Sequence, residues 1–172
     1  MDVRDLFERH HLSVFRYMLR LTGSRETAED LTQEVFVRVA RSLAGYTDMG
    51  RERAWIFSIA ANVFRNSKRE AVRRLSPRDA RSVDSIEDSL SANEPADRVS
   101  LEEALSSLSE IERQVFLMRE LGGLSYAEIA AITGLSVGSV RNRIYRARMS
   151  LRNWLTKSTR FPRGWRLAEE KS

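Results

Sequence analysis

Between Gly123 and Arg148 the sequence spells two helices and the turn that joins them, and this stretch limits what the chain can be more than any other. Ser125 followed three residues later by Glu128 is a capping box that starts a first helix, with Ile129 and Ile132 on its apolar side. Gly134 supplies a left-handed stop, and Ser136 stands where it would cap a second helix. At about 100° per residue, Val140, Ile144, Ala147 and Leu151 of that second helix fall on one stripe and must pack inward. The opposite side carries Ser139, Asn142 and Arg146, flanked by Arg141 and Tyr145. Arginine can bond a guanine edge through two N–H groups and asparagine an adenine edge, so this is a helix-turn-helix whose second helix suits a DNA major groove. A hairpin with a merely solvated basic face is the plainer reading. Such a face mixes signs, whereas no Asp or Glu occurs between Glu128 and Glu169.

Charge agrees at the level of the whole chain. The 172 residues carry a net +5, which favours a polyanion as partner. There is no cysteine, which removes disulfides, thiolate zinc sites and thiol redox sensing. The two histidines, His10 and His11, are adjacent and cannot point the same way on a helix; no role is assigned to them, and no metal or other cofactor is expected. No run of about 18 apolar residues exists and the N-terminus lacks a signal-type apolar core, so the expectation is a cytoplasmic protein without membrane insertion.

Taken in order, the chain opens with a helix from Val3 to about Leu21, with Leu6, Phe7, Val14, Phe15, Met18 and Leu21 at helical spacing and Gly23 as its stop. A second helix, from about Ala28, buries Leu31, Val35, Phe36, Val39 and Leu43. Asp30, Gln33, Glu34, Val37 and Arg41 then face the other way. An acidic and amide-bearing face with Val37 at its centre suits a protein interface with a polar rim, but one exposed valine is also ordinary surface, and the wheel leaves both open. A loop with Gly45 and Gly50 leads to a third helix from Arg53, with Trp55, Ile56, Ile59, Val63 and Phe64 on its core side. Ser58, Ala61, Asn62, Arg65 and Arg69 share the other side, where phosphate contacts and simple solvation both fit. From Ser82 to Ser100 composition turns to Ser, Asp and Glu without sustained period. Five acids, Asp84, Glu87, Asp88, Glu94 and Asp97, against the single Arg98 give this linker a net −4. A short helix, Leu101 to Leu108, and a second capping box, Ser109 with Glu112, lead into the helix-turn-helix. The organisation expected is all-α: a helical domain over 1–81, an acidic linker over 82–100, a helix-turn-helix domain over 101–155 and a basic, aromatic tail over 156–172.

Three motifs in this order carry a resemblance: Ala28-Glu29-Asp30-Leu31-Thr32-Gln33-Glu34-Val35-Phe36, Arg53-Ala54-Trp55-Ile56-Phe57 through Asn62, and Gly123-Leu124-Ser125-Tyr126 through Arg148. Together they resemble the extracytoplasmic-function group of the bacterial sigma-70 family. The resemblance implies an alternative sigma factor that binds core RNA polymerase, recognises the −10 and −35 promoter elements and promotes DNA opening, without being an enzyme. It makes Asp30, Gln33, Glu34, Val37 and Arg41 the surface for the clamp coiled coil of the largest polymerase subunit, with the flap as a second polymerase contact. It makes Tyr46 part of a loop that captures a flipped base, and Ser58, Ala61, Asn62, Arg65 and Arg69 the rest of the −10 surface. Ser139, Arg141, Asn142, Arg143, Tyr145 and Arg146 become the −35 readers, with Arg143 nearer the core side. An anti-sigma factor is the implied regulator. The paired tryptophans with which primary sigma factors wedge the duplex have no counterpart at Phe57-Ser58. A dimeric helix-turn-helix regulator acting outside polymerase is the alternative, but it needs a dimer interface, and no sustained heptad is present. No paired-carboxylate, nucleophile or phosphate-loop constellation supports an enzyme.

Overall fold

The computed structural model describes residues 2–47, 50–74 and 96–157. The regular elements among them are all helical: α1 (Val3–Thr22), α2 (Arg25–Ser42), a 3-10 turn (Leu43–Gly45), α3 (Glu52–Arg74), α4 (Ala96–Ser106), α5 (Glu110–Glu120), α6 (Tyr126–Thr133) and α7 (Val137–Lys157). The all-α expectation is met, with local chemistry setting the ends. Asp2 caps α1, Gly23 ends it at φ 69° with its N–H on the Leu19 carbonyl, and Ser24 caps α2 at once.

Helices α1, α2 and α3 bury Leu6, Val14, Met18, Val35, Val39, Ile56, Ala60 and Phe64 between them. The remaining helices form a second lobe around Ala104, Leu108, Val115, Met118, Leu124, Ile129, Val140, Ile144, Ala147 and Leu151. Each fully buried Leu, Ile, Val or Met contributes about 1.5–3 kcal/mol of transfer free energy, so the stripe of α7 alone fixes that helix's rotation. Both capping boxes form: Ser109 with Glu112 at α5, and Ser125 with Glu128 at α6. Gly134 closes α6 at φ 73°, and the Ser136 hydroxyl accepts the Ser139 N–H at 3.1 Å to start α7.

Some side chains depart from the wheel reading. Phe7, expected in the core, is 44% exposed; its ring stacks on His11 at 4.6 Å and meets the edge of Phe36 at 4.9 Å. The position of α1 over α2 turns Tyr17 and His10 inward instead. His10 is held by Nε2 2.9 Å from the Glu52 carboxylate, which also receives Arg9 at 2.6 Å. Phe57, which the wheel of α3 did not place in the core, is fully buried, its ring centroid 5.3 Å from that of Tyr17. Helix α4 begins at Ala96, inside the stretch read as linker up to Ser100. Pro95 just before the start and Asp97 in the first turn are good helix-start residues that the acidic composition masked. Most of the acidic segment, and the tail from 158 on with Phe161 and Trp165, lie outside the described residues.

Candidate nucleic-acid interface

Helix α7 presents its predicted reading side. Val140, Ile144, Ala147 and Leu151 are buried, while Arg141, Asn142, Tyr145 and Arg146 are exposed, Tyr145 at 62%; Ser139 and Arg143 are half-buried at the margin. The exposed arginines are not loose. Nε of Arg146 lies 3.6 Å from the Glu112 carboxylate on α5, which leaves its two terminal nitrogens to project. Arg148 donates to Glu120, also on α5, at 2.8 Å. Glu112 is held below the usual carboxylate range, first by the Ser109 hydroxyl, against the opposing effect of burial, then by the Ser109 N–H and the charges of Arg146 and Arg143. Sequence reading found Glu112 as half of a capping box but not as the anchor of Arg146, because the pair joins two helices far apart in the chain.

A second arrangement was missed for the same reason. The Arg119 guanidinium lies 5.1 Å from the Tyr126 ring centroid and that of Arg141 lies 6.0 Å from it, while Arg119 also donates to the Leu124 carbonyl at 2.9 Å. Two cations over one aromatic ring concentrate positive charge where α6 begins, beside α7.

The first lobe carries the other predicted surfaces. On α2, Asp30, Gln33, Val37 and Arg41 are exposed, Val37 at 42%, and Glu34 is half-buried with its carboxylate 2.6 Å from Arg38 Nε. On α3, the Ser58 hydroxyl donates to the Trp55 carbonyl at 2.6 Å; Asn62, Arg65 and Arg69 are exposed, and the Asn62 carbonyl accepts a hydrogen bond from Arg65. Tyr46, at the end of the 3-10 turn, stacks on Trp55 with ring centroids 4.1 Å apart. Ala61 departs from expectation. It is 2% exposed, because the second lobe lies against that side of α3.

The comparisons with known proteins match this division. The family model for sigma-70 region 2 covers residues 6–74 and that for sigma-70 region 4 covers residues 98–151. The RNA polymerase sigma factor YlaC of Bacillus subtilis is 31% identical over 164 residues, which is 91% of this chain and 94% of YlaC. The chain belongs to the sigma-70 family of RNA polymerase sigma factors, in its extracytoplasmic-function group. The ECF RNA polymerase sigma factor SigE of Mycolicibacterium smegmatis is 35% identical over 162 residues, 89% of this chain; the chain spans 61% of SigE's length. Among solved structures, the sigma factor RpoE of Bartonella quintana, in complex with the anti-sigma factor NepR, shares the fold. Its TM-score is 0.77 at 23% identity, covering 90% of this chain and 97% of that one. In the family's terms α1–α3 are region 2 and α4–α7 are region 4. Helix α7 belongs to region 4, and the exposed faces of α2 and α3 belong to region 2.

Proposed function

We propose that this sigma factor binds core RNA polymerase through the outer face of α2, reads a −35 element with α7 and a −10 element with α3 and the Tyr46 loop, and promotes strand opening. The observation that carries the reading is the partition of α7. A stripe of four buried apolar residues turns Arg141, Asn142, Tyr145 and Arg146 outward, within a chain that matches both family regions in order. On α2, Asp30, Gln33, Val37 and Arg41 supply an apolar centre with a polar rim for the clamp coiled coil, and Glu34 joins them through its pair with Arg38. Ser58, Asn62, Arg65 and Arg69 hold the opened strand, and Ala61 takes part once its cover is removed. Capturing an unstacked base in the loop around Tyr46 offsets the few kcal/mol that unstacking costs. No step of this needs catalysis by the chain itself. No helix among the described residues is long and apolar enough to cross a membrane, which fits work beside the cytoplasmic polymerase. An anti-sigma factor is proposed as the regulator, as in the complex of the Bartonella relative.

Run-off transcription with purified core polymerase, on a promoter from the gene neighbourhood of the chain, tests the reading. Gln33→Arg with Glu34→Arg should abolish core binding and transcript while helical content stays near wild type. Unchanged core affinity would move the interface elsewhere, and no transcript from the wild-type chain would refute the function.

A further inference from the structure

Strand opening leaves a base with its flat faces unstacked, and an aromatic ring is the side chain that covers such a face best. Region 2 offers few. On α3, Phe57 is fully buried against Tyr17, and Phe64 is 3% exposed, so neither can meet a base. Among the described residues of α3 and of the segment that leads into it, only Tyr46 and Trp55 keep aromatic surface outside the core.

These two rings are already stacked. Their centroids lie 4.1 Å apart and their planes are 17° from parallel, so the indole covers one face of the phenol. Each ring is held by its own element. Tyr46 closes the 3-10 turn with its N–H on the Leu43 carbonyl at 3.1 Å. Trp55 stands in the first turn of α3 with its N–H on the Arg51 carbonyl at 3.0 Å, and it packs against the core beside the buried Ile56. The stack therefore ties the start of the loop to the helix that follows it. Trp55 also heads a row, because positions 55, 58, 62, 65 and 69 advance by three or four and so share one side of the helix. They are Trp55, Ser58, Asn62, Arg65 and Arg69, the last four being the side chains proposed above to hold the opened strand.

We infer that Trp55 is a positioning residue for base capture: its indole holds the Tyr46 ring in a fixed plane at the head of the strand path, and the extruded base stacks on the ring so held. The inference rests on the promoter assignment proposed above and adds to it a residue that the helical wheel placed on the core side. A loop that must order its ring at the moment of capture loses part of the stacking energy to that ordering, whereas a ring stacked beforehand does not. The arrangement also suits a chain that carries Phe57-Ser58 in place of paired wedging tryptophans, since a preset platform favours the open strand after the bases part.

Holoenzyme reconstituted from core polymerase and the full-length chain tests this on promoter DNA carrying 2-aminopurine, moved one position at a time along the non-template strand of the −10 element. With wild type, the fluorescence of the probe should respond at one position far more than at its neighbours. Trp55→Leu keeps apolar packing but removes the stack. It should weaken that response and the yield of open complex by about tenfold, the scale of one lost base–aromatic stack, while core binding and affinity for a −35 duplex are retained. Trp55→Phe, which keeps a ring beside Tyr46, should recover most of the loss. Because Trp55 acts through Tyr46, the double variant Trp55→Leu with Tyr46→Leu should open no less DNA than Tyr46→Leu alone. An additive double variant, or Trp55→Phe as poor as Trp55→Leu, would make Trp55 a packing residue and overturn the inference, as would Trp55→Leu equal to wild type. Tyr46→Leu, which leaves the core untouched, should show the same loss; full capture by it would overturn the inference whether or not Trp55→Leu folds. If wild-type holoenzyme opens no promoter and no position responds, the proposed function fails and the inference with it. If wild type opens DNA and only the variants disagree, the inference fails alone.

Discussion

The two helices proposed to meet DNA, α7 in region 4 and α3 in region 2, are both basic, yet their arginines are held in different ways. On α7, Arg146 and Arg148 are tethered to carboxylates of another helix, Glu112 and Glu120 of α5. On α3, Arg65 is bonded to the neutral amide of Asn62 on its own helix, and the neighbouring Ala61 is covered. A guanidinium fixed from a separate element keeps its direction and suits a rigid ligand such as a duplex groove. One tied only to its own turn can follow a ligand that changes shape, as a melting strand does. On the proposed assignment, region 4 acts as a preset reader and region 2 as an adjustable one.

The largest test of that contrast is Ile144→Ala, which empties the centre of the α7 stripe. Truncations of this kind cost about 2–5 kcal/mol. Hydrogen exchange should show α5, α6 and α7 losing protection while α1 and α2 keep theirs. Loss spread equally over all helices would mean that the two lobes fold as one unit.

Arg146→Ala should come next, costing about 1–3 kcal/mol of binding to a −35 duplex and relaxing preference at one or two base pairs. Selection from a randomised duplex pool measures it. A uniform loss over all sequences would make Arg146 a phosphate contact and remove the preset reader from the comparison.

Within each lobe the sequence was largely readable, because capping boxes, glycine stops and apolar periods are local signals. Ser109 with Glu112, Ser125 with Glu128, Gly134, and the stripe from Val140 to Leu151 all form as written. What was not readable depends on contacts between elements distant in the chain. Phe7 gave way to Tyr17 and His10 because α1 meets α2 and α3 at an angle that a wheel does not contain. Ala61 is small and lies on the polar side of its helix; only the placement of region 4 decides that it is covered. The Arg146 partner on α5 and the Arg119, Tyr126 and Arg141 cluster have the same character.

The smallest expected effect sharpens the comparison most, since it isolates charge from shape. Glutamine can still close the capping box at the start of α5, so Glu112→Gln removes the negative charge facing Arg146 while keeping the hydrogen bonds of the cap. The Arg146 end is well exposed, so the loss of stability at neutral pH should be about 0.2–1 kcal/mol. Its pH dependence has a definite sign. The folded-state pKa of Glu112 lies below its unfolded value, chiefly through the Ser109 hydroxyl, so the contribution is fully present above the ordinary carboxylate range and is lost as pH falls through the depressed value. Urea midpoints of wild type and variant should therefore differ at pH 7 and converge in strong acid. Binding should change in two directions at once. Non-specific duplex affinity rises because a negative charge has left the DNA face, while discrimination at the base pair read by Arg146 falls because its Nε has lost its anchor. A rise in both would show that Glu112 merely competes with DNA for Arg146, and the preset reader would then be as adjustable as α3.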